Sequence, residues 1–299
     1  MARINGTTKL AGVIGWPLGH SLSPAMHNAV YQELGLDWAY VPLAVADEVG
    51  LMRLVAAIRS LPFVGFNVTM PYKAAILELC DEVATAAQIA GAVNTVHCTD
   101  GRLIGYNTDG RGLLETLRHD IGFDPANKRV VILGAGGAAG GAFVALILAR
   151  ATRITLVNRD VARAEELMER MGLHTTNIHV EALDYSEAEQ AIREADLVVN
   201  ATSVGMLPGD SSPIPAEWIT HAHVVFDMVY GTPHRTALLK CAEAVGAQAL
   251  DGLGMLVCQG AIAIEIWNSG SQTPIPRDIM RQAAQREIDV RASAEAQAR

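Results

Sequence analysis

Apolar and polar positions along this chain follow two spacings, and the switch between them outlines the elements. Residues 9–15, "KLAGVIG", 38–45, "WAYVPLAV", and 63–69, "FVGFNVT", are short apolar runs of strand length. Between them, 23–35, "SPAMHNAVYQELG", and 47–61, "DEVGLMRLVAAIRSL", carry apolar residues at helical spacing, the first stopping at Gly35. Residues 90–98, "AGAVNTVHC", and 102–108, "RLIGYNT", read as a strand pair around a turn at "TDG". In "GFNVTMPYK", Thr69 is expected to cap a helix that opens at Pro71 and continues through "YKAAILELC".

The rhythm changes near residue 109. A helix over "GRGLLETLRHDIG" leads into "RVVILGAGGAAGGAFVALILAR", a continuously apolar strand, a glycine-rich turn and a helix. "RITLVNRD", "ADLVVNATSVG" and "HVVFDMVY" supply three further buried strands with helices between them. Fully apolar strands alternating with helices predict a doubly wound parallel sheet. The expected class is therefore α/β with two domains and a cleft between them. Residues 1–109 plus 252–299 form an N-terminal α/β substrate domain, and 110–251 a Rossmann-type dinucleotide domain. The chain is expected to cross back near Gly252, so that "GLGMLVCQGAIAIEIWNSG" and the last helix pack on the first domain. The final residues, "EIDVRASAEAQAR", read as a polar helix fraying into a tail.

Composition narrows the partners. Half of the 299 residues are hydrophobic and 18% are charged, as suits helix-on-sheet packing. A net charge of −9 argues against non-specific binding to nucleic acid or an anionic membrane. No apolar run is long enough to span a bilayer, and the first residues lack the apolar core of a secretion signal. Cys80, Cys98, Cys241 and Cys258 are scattered without a paired spacing and read as reduced thiols. The expectation is a cytoplasmic protein with no metal site, acting on a small molecule as a monomer or homodimer.

The glycine-rich turn carries the first candidate chemistry. Gly134, Gly136 and Ala139 fit GxGxxA, where small residues let backbone N–H groups approach a pyrophosphate at a helix N-terminus. At the end of the next strand, an NAD enzyme would place an acid for the ribose hydroxyls. Asn158 and then Arg159 stand here, with Arg163 one turn on. Two guanidiniums suit a 2′-phosphate, or they are solvated cations at a helix start; Asp160 would repel a phosphate. In "SLSP", Ser23 before Pro24 can cap a helix, or with Ser21 bind an anion. Asn94 interrupts an apolar strand and needs backbone or ligand partners. Asp109 either caps the helix starting at Gly110 or serves a site at the domain boundary.

Taken together, "SLSP", "GFNVTMPYK", "AGAVNT", "GYNTDG", "GAGGAA", "VNRDVAR", "VNATSVGM", "FDMVY" and "DGLGMLVCQ" resemble, in order and spacing over nearly the full length, the shikimate dehydrogenase family. The resemblance implies reversible reduction of 3-dehydroshikimate to shikimate with a nicotinamide cofactor, NADP with NAD possible. It implies Lys73 and Asp109 as catalytic residues. Ser21, Ser23, Thr69, Asn94, Tyr230 and Gln259 would contact substrate. Gly134, Ala135, Gly136, Gly137, Ala138, the segment Asn158, Arg159, Asp160 to Arg163, Met228 and Gly252 would contact cofactor. Asp160 departs from the family pattern, which usually has Thr there. A lysine in the positive first turn of a helix, and buried in a cleft, has its ammonium form destabilised, which suits an acid–base group. An NAD-dependent quinate/shikimate enzyme, an aminoshikimate-type relative and a non-catalytic dinucleotide and shikimate sensor are the alternatives.

Overall fold

The computed structural model describes residues 4–172, 178–232 and 234–297. The chain forms two compact units, residues 1–108 with 257–299 and residues 109–256. Asp109 and residues 252–256 thus belong to the second unit, not to the first as the sequence pattern predicts. Two packing facts account for this. Gly252 lies so close to the Met228 backbone that a Cβ would overlap its carbonyl, and Met255 is part of the second unit's core.

The first unit carries a six-stranded mixed sheet. Its strands are β1 (Lys9–Gly15), β2 (Trp38–Ala44), β3 (Phe63–Val68), β4 (Glu82–Val83), β5 (Thr95–Thr99) and β6 (Arg102–Tyr106), in spatial order β2-β1-β3-β5-β6-β4. β1 pairs parallel with β2 and β3; β5 runs antiparallel to β3 and β6, so "TDG" turns a hairpin. Helices α1 (Ser23–Glu33), α2 (Glu48–Ile58) and α3 (Thr85–Ala90) connect them. Asp47 caps α2 by accepting from the Gly50 N–H at 2.7 Å. One core gathers Ile14, Leu51, Val55, Phe66, Ile76 and Val96 against this sheet.

Two local expectations for this unit are corrected. No α-helix follows Pro71; residues 70–74 form turns and Ala75–Leu79 is a 3₁₀ helix. The reason is a tertiary bond. The Lys73 carbonyl, which an α-helix would offer to residue 77, accepts from the Val93 N–H at 2.8 Å, and the Leu77 N–H turns to the Ala74 carbonyl. Thr69 therefore caps no α-helix. Ser23 is the first helical residue of α1 rather than its cap; Leu22 holds the cap position and no side chain caps it. Asn94 lies one residue before β5, not inside a strand.

The second unit opens with α4 (Asp109–Ile121), so Asp109 itself starts the helix expected at Gly110. It continues with β7 (Arg129–Leu133), α5 (Gly137–Leu148), β8 (Arg153–Val157), α6 (Val161–Met171), β9 (His179–Leu183), α7 (Glu189–Arg193), β10 (Leu197–Asn200), β11 (Val224–Asp227), α8 (Ala237–Ala244) and β12 (Gln248–Leu250). The all-parallel sheet has the order β12-β11-β10-β7-β8-β9. Counted from β7 this is 3-2-1-4-5-6, the doubly wound order whose switch point lies between β7 and β10. Phe143, Leu146, Ile154, Val199 and Phe226 fill the core on one side of the sheet. Val131, Leu133, Val198, Val225 and Leu239 fill the core on the other. β9 and β12 were missed in the sequence because they are edges: their residues are half-buried or exposed, and no apolar run marks them.

Helix α9 (Leu253–Trp267) follows β12, and α10 (Arg277–Gln297) ends the described chain, helical through the stretch expected to fray. α10 packs along α1, burying Met280, Ala283 and Ala284. Trp267 of α9 lies against Gly65, and its indole N–H donates to the Val96 carbonyl at 2.9 Å. No helix among the described residues is long and apolar enough to cross a membrane.

Candidate active site

In the first unit, the loop after β3 is held by backbone bonds on both sides. The Thr69 N–H donates to the Ile14 carbonyl at 2.9 Å, and the Trp16 N–H donates to the Met70 carbonyl at 3.0 Å. The Met70–Pro71 peptide is cis. Tyr72 is buried and its hydroxyl donates to the Val45 carbonyl at 2.8 Å. With Val93 on its carbonyl, Lys73 has a backbone fixed at several points and a half-buried side chain. No helix macrodipole acts on Lys73, because no α-helix begins there.

Beside this loop lies a buried polar network that the strand pattern could not announce. Tyr40 donates from its hydroxyl to Asn67 Oδ1 at 2.8 Å, and Asn67 Nδ2 donates to Thr95 Oγ1 at 3.0 Å. Asn94 Oδ1 accepts from the Thr108 N–H at 2.8 Å, and Asn94 Nδ2 donates to Thr108 Oγ1 at 3.1 Å and to Gln259 Oε1 at 3.5 Å. Asn94 thus has backbone and side-chain partners within the fold. Asn94 and Gln259 are thereby brought together from positions 165 residues apart. Asn67 was missed; the signal for it was the same one that flagged Asn94, an amide amid apolar strand residues.

Ser21 and Ser23 lie at the start of α1. Ser21 is half-buried and Ser23 is buried, and Ser21 Oγ accepts from the Ser23 N–H at 3.4 Å. The Ser23 N–H goes to Ser21 Oγ, Pro24 has no N–H and the Met26 N–H goes to the Leu22 carbonyl at 3.1 Å, so an anion at this end of α1 would meet chiefly the two hydroxyls.

In the second unit, Asp109 is 5% exposed at the head of α4. Burial, and then the Asp109 carboxylate, push the Tyr230 phenol up to about 12, so Tyr230 is protonated at ordinary pH. Asn200 and Asp227, both fully buried, brace the turn that carries Met228 and Tyr230. Asn200 Nδ2 donates to Asp227 Oδ1 at 2.9 Å, the Val229 N–H donates to the same oxygen at 3.1 Å, and Thr236 donates to Asp227 Oδ2 at 2.7 Å. Burial raises the Asp227 carboxyl above its ordinary value, against these bonds. Neither Asn200 nor Asp227 was singled out in the sequence.

The glycine-rich turn leaves room for a pyrophosphate. Gly134 has φ +107°, and a Cβ there would come within 3.1 Å of Thr202. Gly136 caps α5 with no side-chain bond, and the space its Cβ would take is open. The N–H groups of Gly137 and Ala138, in the first turn of α5, are thus not spent on a side-chain cap. Ala135 is half-buried beside them, and Ala139 is fully buried in the core, where a larger residue would push α5 off the sheet. After β8, Asn158 Nδ2 donates to the Asp160 carbonyl at 2.7 Å. Arg159, Asp160 and Arg163 are exposed, and among the described residues neither arginine forms an ion pair. The Asp160 carboxylate does not cap α6. These residues fit a dinucleotide with its phosphate at α5 and a 2′-phosphate near the arginines. Among the described residues no group of three or more His, Cys, Asp or Glu could hold a metal ion.

A parallel sheet in this order, with a glycine turn at its switch point, makes the second unit a doubly wound α/β fold of the Rossmann type. Family profiles match along the chain: "Shikimate dehydrogenase substrate binding domain" over residues 13–96, "Shikimate / quinate 5-dehydrogenase" over 116–207 and "Shikimate 5'-dehydrogenase C-terminal domain" over 252–285. The shikimate dehydrogenase (NADP(+)) of Methanopyrus kandleri is 45% identical over 289 residues, covering 94% of this chain and 96% of that protein. A shikimate dehydrogenase solved in complex with NADP+ superposes with a TM-score of 0.86 at 37% identity, covering 96% of this chain and 98% of the other. The shikimate 5-dehydrogenase of Thermus thermophilus, solved with NADP(H) and shikimate, has a TM-score of 0.82 at 37% identity, covering 93% and 99%. The chain belongs to the shikimate dehydrogenase family.

Proposed function

We propose that this protein catalyses the reversible NADP-dependent reduction of 3-dehydroshikimate to shikimate, a step in the biosynthesis of aromatic amino acids. The observation that carries the reading is the 45% identity, over 94% of the chain, to a shikimate dehydrogenase (NADP(+)). The reaction needs a hydride, a proton and a fixed carboxylated ring. The nicotinamide, when bound, supplies or accepts the hydride. Lys73 delivers the proton to the substrate oxygen as the ketone becomes an alcohol, and takes it back in reverse. Asp109 is the other member of the catalytic pair and handles no second proton. Ser21 and Ser23 hold the carboxylate at the N-terminus of α1, while Thr69, Asn94, Gln259 and Tyr230 hold the ring oxygens. The bonding of Asn94 to Thr108 and Gln259 supports this, because it fixes the amide in one orientation.

Gly134 to Ala138 hold the pyrophosphate, and Asn158, Arg159, Asp160 and Arg163 surround the adenosine ribose. Met228 and Gly252 border the nicotinamide. The protein works in the cytoplasm as a monomer or homodimer, with no nucleic-acid or membrane partner. Steady-state kinetics on shikimate and quinate, each with NADP and NAD, test the reading. The highest kcat/KM is expected for shikimate with NADP. Binding of both ligands without turnover would replace it by the sensor reading.

A further inference from the structure

We propose that Arg291, on the C-terminal helix α10, is a positioning residue for the serine loop of the substrate site, and that α10 thereby sets affinity for the substrate carboxylate. Arg291 Nη2 donates to the Ser21 carbonyl at 3.0 Å, a bond that joins residues 270 apart in sequence. On its other edge, Arg291 Nε donates to Glu287 Oε1 at 3.0 Å, one helical turn back. The planar guanidinium is held at two points, so its orientation is set before it meets the loop.

Within the loop, Leu22 is fully buried and Ser21 Oγ accepts from the Ser23 N–H at 3.4 Å, while Arg291 holds the Ser21 peptide itself from outside. The Ser21 N–H closes a turn on the Leu18 carbonyl at 2.9 Å, and α1 begins without a side-chain cap. Ser21 and Ser23 straddle Leu22, so a rotation of the Ser21 peptide changes the separation of the two hydroxyls. Two hydroxyls bind one carboxylate only if both reach it at hydrogen-bond distance. α10 is well anchored for this role, since Met280, Ala283 and Ala284 are buried and the helix packs along α1. The pair with Glu287 offsets the guanidinium's charge at longer range, so Arg291 acts through loop geometry. It crosses a groove of about 510 Å³ lined by Leu18, Ser21, Pro24, Asn28 and Glu287. The groove is open to water, so truncating Arg291 leaves a hydrated space rather than a core cavity.

The inference rests on the reading that Ser21 and Ser23 bind the substrate carboxylate, and the experiment separates the two. Full-length Arg291→Ala, Arg291→Lys, the Ser21→Ala/Ser23→Ala double variant and the triple variant are compared for KM of shikimate, KM of NADP, kcat and Tm. Arg291→Ala is expected to raise the shikimate KM about three- to tenfold, the range for one hydrogen bond. KM for NADP stays flat and kcat changes less than KM. Arg291→Lys, which keeps a donor but not the fork, restores part of the loss. In the double-serine background, Arg291→Ala adds little. If the serine variant raises the shikimate KM and Arg291→Ala does not, the role of Arg291 is overturned and the serine reading stands. If the serine variant leaves that KM unchanged, the serine reading falls and takes this inference with it. Equal rises in both KM values after Arg291→Ala would mark a general structural role and also overturn it.

Discussion

The backbone N–H of Val93 donates to the carbonyl of Lys73 at 2.8 Å, closing the loop after β3 onto the segment that leads into β5. The bond uses no side-chain atom of either residue. Replacing the Lys73 side chain therefore leaves the loop's backbone restraints in place.

Lys73→Ala is accordingly expected to lower kcat by about 10²–10⁴-fold, the range for removing a general acid or base, with Tm little changed. KM for shikimate should move much less. Steady-state kinetics and a melting curve on the same preparation check this. A kcat within a few-fold of wild type, together with a steep rise in KM, would make Lys73 a binding residue instead.

Ser21→Ala/Ser23→Ala is expected to raise the shikimate KM by about 100-fold or more, because in the proposed reading two hydroxyls each donate to a charged acceptor in a bond worth about 1.5–3 kcal/mol. KM for NADP should stay level. Since Ser23 is the first residue of α1 and caps nothing, Tm should fall by little. A large drop in Tm with an unchanged KM would assign the serines to the fold alone.

In the proposed reading, three exposed charges after β8, Arg159, Asp160 and Arg163, set the cofactor choice. Arg159→Ala is expected to shrink the preference for NADP over NAD by about tenfold or more, the loss of one charge-assisted contact. Asp160→Thr should widen it by about fivefold at most, because an exposed charge pair is worth about 1 kcal/mol or less. The measurement is kcat/KM with each cofactor. Wild-type enzyme that prefers NAD would make Asp160 the group that grips the ribose hydroxyls.

His27 gives a pH dependence to stability. It is fully buried, stacked on Tyr40 with ring centres 4.1 Å apart, and its Nδ1 lies 3.4 Å from the Tyr31 hydroxyl. Among the described residues its Nε2 has no hydrogen-bond partner, and burial lowers its pKa from 6.5 to about 3. The unfolded chain takes up a proton below pH 6.5 that the native state refuses until about pH 3. Stability is therefore expected to fall as pH drops through that window, by about 1.4 kcal/mol per pH unit from this group. His27→Phe, which keeps the stack, should flatten that limb in denaturant titrations between about pH 6.5 and 4.5. A slope unchanged by the substitution would mean that other groups carry the acid sensitivity.

Sequence by itself determined the second unit in outline. β7, β8, β10 and β11 are buried on both faces, so each had to be a continuous apolar run, and the glycine turn after β7 stood out between two of them. Their flanking edges β9 and β12 carried no such run. The hairpin of β5 and β6 and helices α1 and α2 were legible for the same local reasons. Tertiary structure decided the rest. Whether the chain after Pro71 became an α-helix depended on Val93, twenty residues away, competing for the Lys73 carbonyl. Which amides would be buried and paired depended on Asn67 meeting Thr95 and Asn94 meeting Gln259. The hold on the serine loop came from Arg291, at the far end of the chain. Propensity and periodicity rank what a residue does with its neighbours along the chain. A backbone carbonyl or a buried amide takes whichever donor the fold brings within about 3 Å, and no local pattern encodes that choice.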